Sequence, residues 1–151
     1  MRLGLSQPTD VEVAAAEVLE AARRAGAAAP KVLVQEMAAG IEVLVGAVVD
    51  DRFGALVTVR PGGALAEAGE AVFVPCPLTP KQALDYLTEH AAQCGLDPSH
   101  HDVKAAARAV EGLARAAHDL RHRLTSLEAN PLLVDERGAV AVDALAEARP
   151  A

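Results

Sequence analysis

Residues 126–134, Ser126-Leu127-Glu128-Ala129-Asn130-Pro131-Leu132-Leu133-Val134, run into Asp135-Glu136-Arg137-Gly138 and then Ala139-Val140-Ala141-Val142-Asp143-Ala144-Leu145. Two strand-like runs around four turn formers read as a hairpin. If Val134 pairs with Ala139, antiparallel pairing keeps the sum of paired residue numbers constant, and Asn130 falls opposite Asp143. Directly opposed side chains have Cβ atoms ~5 Å apart. Glu128, two residues from Asn130, shares their face, and the other face should hold Leu127, Leu133, Val140 and Val142 as core. Glu, Asn and Asp oxygens on one face suit a hard cation such as magnesium, which keeps phosphate and water oxygens as further ligands. On spacing alone, a solvated polar face is the plainer reading.

Upstream, Thr9 and Glu12 form a capping-box pattern, followed by Val11, Ala14, Val18, Ala22 and Ala25 at helical spacing. Met1 to Leu5 reads as a strand end and Lys31 to Met37 as a strand. Ile41 to Val49 and Phe53 to Val59 read as strands joined tightly through Asp50-Asp51. Arg60-Pro61-Gly62-Gly63 then breaks the chain, Ala64 to Glu70 suits one or two helical turns, and Ala71 to Val74 a short strand. Thr79-Pro80 with Gln82 opens a helix whose stripe is Ala83, Leu87, Ala91 and Cys94, closed by Gly95. A longer helix is expected from Asp102 to Arg123, buried through Val103, Ala106, Val110, Leu113, Ala117, Leu120 and Leu124. Strands mixed with helices, joined by hairpins, predict an α+β fold: helices on a mainly antiparallel sheet.

The whole chain, 151 residues, suits one domain. Aromatics are 2%, so Val, Leu and Ala must fill the core. The net charge of -7 argues against nucleic acid and against an anionic membrane surface. Lys31, Lys81 and Lys104 are all the lysines, so a bound polyphosphate would lean on a cation or on arginine. Cys76 and Cys94 lack metal-type spacing and read as reduced, buried thiols. With no signal-peptide pattern and no membrane-length apolar run, a cytoplasmic location is the default. His118 and His122, four apart, could share a helix face for a transition metal, although solvent-facing histidines are the simpler expectation. His100-His101-Asp102 reads as a helix start.

The ordered segments carry a resemblance. Glu128-Ala129-Asn130-Pro131-Leu132, Gly138 and Ala141-Val142-Asp143-Ala144 resemble the end of the ATP-grasp domain of ADP-forming acyl-CoA synthetases. Val32-Leu33-Val34-Gln35-Glu36-Met37 with Gly40-Ile41-Glu42-Val43-Leu44-Val45-Gly46 resembles that family's nucleotide hinge. Phe53-Gly54, Gly62-Gly63 and Glu67 resemble its glycine-rich segment.

The resemblance implies a partial ATP-grasp fold that binds Mg-ATP or ADP in acyl-CoA thioester chemistry. Gln35, Glu36 and Met37 would border the adenine, Glu42 the ribose or polar edge of the nucleotide, and Gly62 and Gly63 the cofactor. Asn130 and Asp143 would ligate magnesium, and Glu128 would stand beside the phosphoryl-transfer centre. Such transfer needs positioning and charge neutralisation more than covalent help.

The pattern also departs from the family. Its upstream lobe, with a phosphate-contacting lysine, is not in this sequence, and its phosphorylated histidine lies in a separate domain. Arg60-Pro61 stands where Gly-x is usual, and proline has no N–H to offer a phosphate; Arg60 either restores a charge or is an exposed loop residue. Asp97-Pro98-Ser99-His100-His101 replaces a Gly-x-Arg-Gly segment. Ala144 and Leu145 follow Asp143 where an arginine is common.

The expectation is therefore an acid–thiol ligase component, active when a partner chain supplies the missing lobe or CoA-binding part, with homo-oligomerisation open. The rivals are a degenerate, non-catalytic interaction or regulatory module that keeps the fold, and an unrelated α/β domain.

Overall fold

The computed structural model describes residues 1–62 and 71–150. Its contacts divide into two compact units, Met1–Met37 and Ala38–Ala151.

In the first unit, helix α1 spans Pro8–Arg24. Proline at the first position brings its own helical φ, so Gln7 is the N-cap and no side chain caps the helix. The expected Thr9 cap lies inside the first turn. Val11, Ala14 and Val18 line a cavity together with Leu5 and Val32 to Gln35. Neither Met1–Leu5 nor Lys31–Met37 forms a strand. The Val- and Leu-rich composition of the second suits a strand, but a strand exists only where another offers it a ladder, and none does among the described residues. Leu33 and Val34 stay largely exposed.

The second unit is α+β. Strand β1 is Ile41–Asp50 and β2 is Gly54–Pro61. They pair antiparallel from Val43↔Pro61 to Asp50↔Gly54. Asp50 closes the turn by accepting the N–H groups of Arg52 and Phe53 on Oδ1, at 2.7 and 2.9 Å. Strand β3, Phe73–Pro75, adds to β2. The helical turns expected from Ala64 to Glu70 lie outside the described residues, as do Gly63 and Glu67.

Helix α2, Pro80–His90, has the expected capping box between Thr79 and Gln82. Ala83 and Leu87 on the helix are buried, as are Ala91 and Cys94, but these two lie at and beyond its end, in turns, so the helix stops short of the expected close at Gly95. Helix α3, Val103–Asp119, starts at Asp102, whose Oδ1 accepts the N–H of Ala105 at 2.9 Å. It ends four residues before the expected Arg123. The Arg121 guanidinium donates to the His118 carbonyl at 2.6 Å, which satisfies a last-turn acceptor. His122 thus falls beyond the helix, and the shared face expected for His118 and His122 does not form. Among the described residues no group of three His, Cys, Asp or Glu could hold a metal.

Strand β4, Leu124–Val134, pairs with β1 along one edge. Its other edge takes β5, Ala139–Ala141, and then β6, Ala144–Ala148. The sheet order is β3-β2-β1-β4, then β5 and β6, and every pairing is antiparallel. The α2–α3 pair covers one face through a core of Val43, Val45, Val57, Leu87, Val110 and Leu132. Small residues on α3 (Ala106, Val110, Ala114, Ala117) are fully buried or nearly so, so the helix sits close to the sheet without aromatic filler.

Tyr86 extends the sheet where β3 stops. Its hydroxyl accepts the Val59 N–H at 3.1 Å and donates to the Val72 carbonyl at 2.8 Å. Burial raises its pKa, so it remains a donor at any physiological pH. Burial likewise pushes the Cys76 and Cys94 thiols up to about 11; both are free, Cys94 buried and Cys76 half-buried. Among the described residues no helix is long and apolar enough to cross a membrane.

Candidate functional site

Alternation along the strands sorts the sheet into two faces. Val43, Val45 and Ala47 on β1 belong to the helix-covered core, as do their cross-strand partners Val59 and Val57. The intervening residues, Glu42, Leu44, Gly46 and Val48, turn to the far face. Paired residues share a face, so Arg60 (opposite Leu44), Thr58 (opposite Gly46) and Glu128 (opposite Gly46 from the β4 side) belong to that far face too.

The terminal hairpin has the expected register. Val134 pairs with Ala139, Leu133 with Val140 and Leu132 with Ala141. The same sum of residue numbers continues in β6, through Ala129↔Ala144 and Glu128↔Leu145. Asn130 and Asp143 therefore stand opposite each other, and the Asn130 N–H donates to the Asp143 carbonyl at 3.2 Å. The next bond along, from Val142 N–H to the Pro131 carbonyl, is 3.1 Å.

The expected inside and outside faces of this hairpin need correction. Leu132 and Val134 are the core residues, and Val140 and Val142 are 55% and 42% exposed. The cause is a bulge: Val43 pairs with Leu132 but Val45 with Ala129. Two residues of β4, Asn130 and Pro131, thus oppose the single Leu44. A bulge changes the parity of a strand and re-aims its side chains. Asn130 lies within that break, and on the partner side Val142 and Asp143 fall in the gap between β5 and β6. The Asn130–Pro131 peptide is cis.

Asp143 is exposed and Asn130 and Glu128 are half-buried. One oxygen of Asp143, Oδ1, accepts the N–H of Ala144 at 2.8 Å. Glu42 is exposed at the start of β1, opposite Leu133.

Gly62 is buried, and its N–H donates to the Glu42 carbonyl at 2.8 Å. A Cβ there would lie 2.8 Å from the Glu42 carbonyl carbon, so only glycine fits. Gly63 lies outside the described residues. Gln35, Glu36 and Met37 belong to the first unit, outside any helix or strand, and all three are exposed. Arg60 is a half-buried strand residue instead of an exposed loop residue. Pro131 inside a strand is the one sign of a bulge in the sequence, since proline has no N–H for the ladder; Leu132-Leu133-Val134, apolar at every position, does not reveal which residues turn inward.

A family model for the ATP-grasp domain matches residues 1–147. No curated protein sequence matches the chain significantly. Among solved structures, the protein PH1788 from Pyrococcus horikoshii Ot3 superposes with a TM-score of 0.78 at 22% identity, over 99% of this chain and 67% of that one. A dinucleotide-forming acetyl-coenzyme A synthetase 1 from Ca. Korarchaeum cryptofilum, in complex with coenzyme A and Mg-AMPPCP, gives 0.76 at 24% identity, over 98% and 67% of the two chains. The Ca. Korarchaeum cryptofilum ACD1 in complex with coenzyme A gives 0.77 at 25%, with the same coverage. The observed α+β architecture, with its antiparallel sheet and helices on one face, is a partial ATP-grasp fold, and the chain belongs to the ATP-grasp family.

Proposed function

We propose that this chain holds the magnesium and phosphates of ATP or ADP for acyl-CoA thioester chemistry, together with a partner chain that supplies an upstream lobe or the CoA-binding part. The carrying observation is the unbroken register that sets Asn130 opposite Asp143 with Glu128 two residues away. Two carboxylates and one amide fit a magnesium ion that completes its shell with phosphate oxygens and water. When bound, such an ion neutralises the charge that phosphoryl transfer develops.

In this reading Asn130 and Asp143 contact the cation, and Glu128 lies beside the transferring phosphoryl group. Glu42 meets the polar edge of the nucleotide. Gly62 sets the backbone, since its N–H already has a partner. A structural relative in complex with coenzyme A and Mg-AMPPCP supports Mg-nucleotide binding as the role of this fold.

Isothermal titration of the full chain with Mg-ATP and Mg-ADP tests it. Binding weakened at least ~10-fold in both Asn130→Ala and Asp143→Ala is expected, about 1.4 kcal/mol or more. Unchanged affinity in both would overturn the ligand assignment.

One observation favours the alternative, a non-catalytic module that keeps the fold. Pro61 has no N–H and that of Gly62 is occupied, so two donors a phosphate could use are lost from this segment. Absence of nucleotide binding, with or without a partner, would select that reading.

A further inference from the structure

The far face of the sheet carries carboxylates but little positive charge. Of its strand residues on β1, β2 and β4, Glu42, Leu44, Gly46, Val48, Leu56, Thr58, Ser126, Glu128 and Leu133 bring none, and Arg60 brings one. Nε of Arg60 is buried and has no hydrogen-bond partner among the described residues. Nor does the Arg60 guanidinium join any ion pair there, although eight other Lys and Arg side chains do.

A buried donor left unpaired costs about 1–3 kcal/mol, and guanidinium is among the most demanding groups, with five N–H bonds in a rigid fork. That fork matches the oxygens of a phosphate. Adjacent strands lie ~4.8 Å apart, which sets β2 and β4 about 10 Å apart across β1. The residue between them at the level of Arg60 is Leu44, and next to it Gly46 has no side chain. An anion held at Asn130 and Asp143 through a cation could therefore extend over β1 towards Arg60.

We propose that Arg60 is the positive partner of the nucleotide's phosphates on this face. The assignment rests on the Mg-nucleotide reading above and deepens it. It also accounts for an arginine in a glycine-rich segment, next to a proline that gives no N–H to an anion.

The test uses the full chain. Binding of Mg-ATP, Mg-ADP and adenosine is measured for the wild type, Arg60→Gln and Arg60→Lys, with ligand-detected NMR for the weak adenosine complex. Arg60→Gln should weaken both Mg-nucleotides ~10-fold or more, leave adenosine unchanged, and be partly restored in Arg60→Lys. Because Nε has no partner to lose, the melting temperature of Arg60→Gln should equal or exceed that of the wild type, so a folding defect cannot imitate the result. Full Mg-nucleotide affinity in Arg60→Gln, with Asn130→Ala still impaired, overturns the role of Arg60 alone. No Mg-nucleotide binding by the wild type overturns both this role and the reading beneath it. Equal losses for adenosine and Mg-ATP overturn a phosphate contact.

Discussion

Single residues constrain this protein mainly where there is no space for an atom. Gly40 has φ +144°, and a Cβ there would lie 2.6 Å from the Val134 carbonyl oxygen. Gly40→Ala should therefore destabilise the fold by about 3 kcal/mol, combining backbone strain with overpacking. Gly112, in the middle of α3, has nothing within 4 Å of a built Cβ, and Gly112→Ala should stabilise by about 0.5–1 kcal/mol through helix propensity. Urea unfolding of the two variants reads both signs, and a neutral Gly40→Ala would contradict the close approach. Tyr86→Phe leaves the Val59 N–H buried and unpaired, and should cost about 1–2 kcal/mol in the same assay. An unchanged midpoint would mean that water replaces the hydroxyl. Neither the crowding at Gly40 nor the hydroxyl bridge of Tyr86 was legible in the sequence, because both depend on elements distant along the chain.

Among the elements, the terminal hairpin was the most readable and also the most misleading. Its turn and register follow from Asp135-Glu136-Arg137-Gly138 and the two apolar runs, and hence so does the Asn130–Asp143 pairing. Which face each residue takes did not follow, since the bulge at Asn130-Pro131 moves the core from Leu133 to Leu132 and Val134. The turn is held by Asp135, whose Oδ1 accepts the N–H groups of Arg137 and Gly138 at 2.8 and 3.0 Å. The Arg137 backbone N–H, and then its side chain, hold the Asp135 pKa below the ordinary carboxylate value. A depressed folded-state pKa stabilises the turn above the unfolded value and loses that effect as pH falls through the folded one. Amide exchange at Asp135 and Gly138 should thus be slow and steady, after correction for intrinsic rates, from neutral pH down to about 4. Protection should drop below that, and Asp135→Ala should show the unprotected rate throughout. Protection of Asp135→Ala equal to the wild type would remove the carboxylate from the account. Helix α2 was legible down to its cap because Thr79, Pro80 and Gln82 act locally. Helix α1 was not, since Pro8 moved the start away from a plausible Thr9.

At the scale of the whole molecule, the ordered segments identify the family where no single segment could, and the fold agrees with them. The segment Lys31–Met37 shows the limit of that reading: its composition suits a strand, yet its strand character would depend on a partner that the sequence cannot specify. The proposed role of the chain rests on Asn130 and Asp143 acting together on one ion. Paramagnetic broadening measures this directly. Mn-ADP is added to the isotopically labelled full chain, and amide and side-chain resonances are followed. The account predicts broadening centred on Asn130 and Asp143, extending to Glu128 and Ala144, and reversed by excess Mg-ADP. Broadening centred elsewhere, or uniform weak broadening that excess Mg-ADP does not reverse, would contradict it.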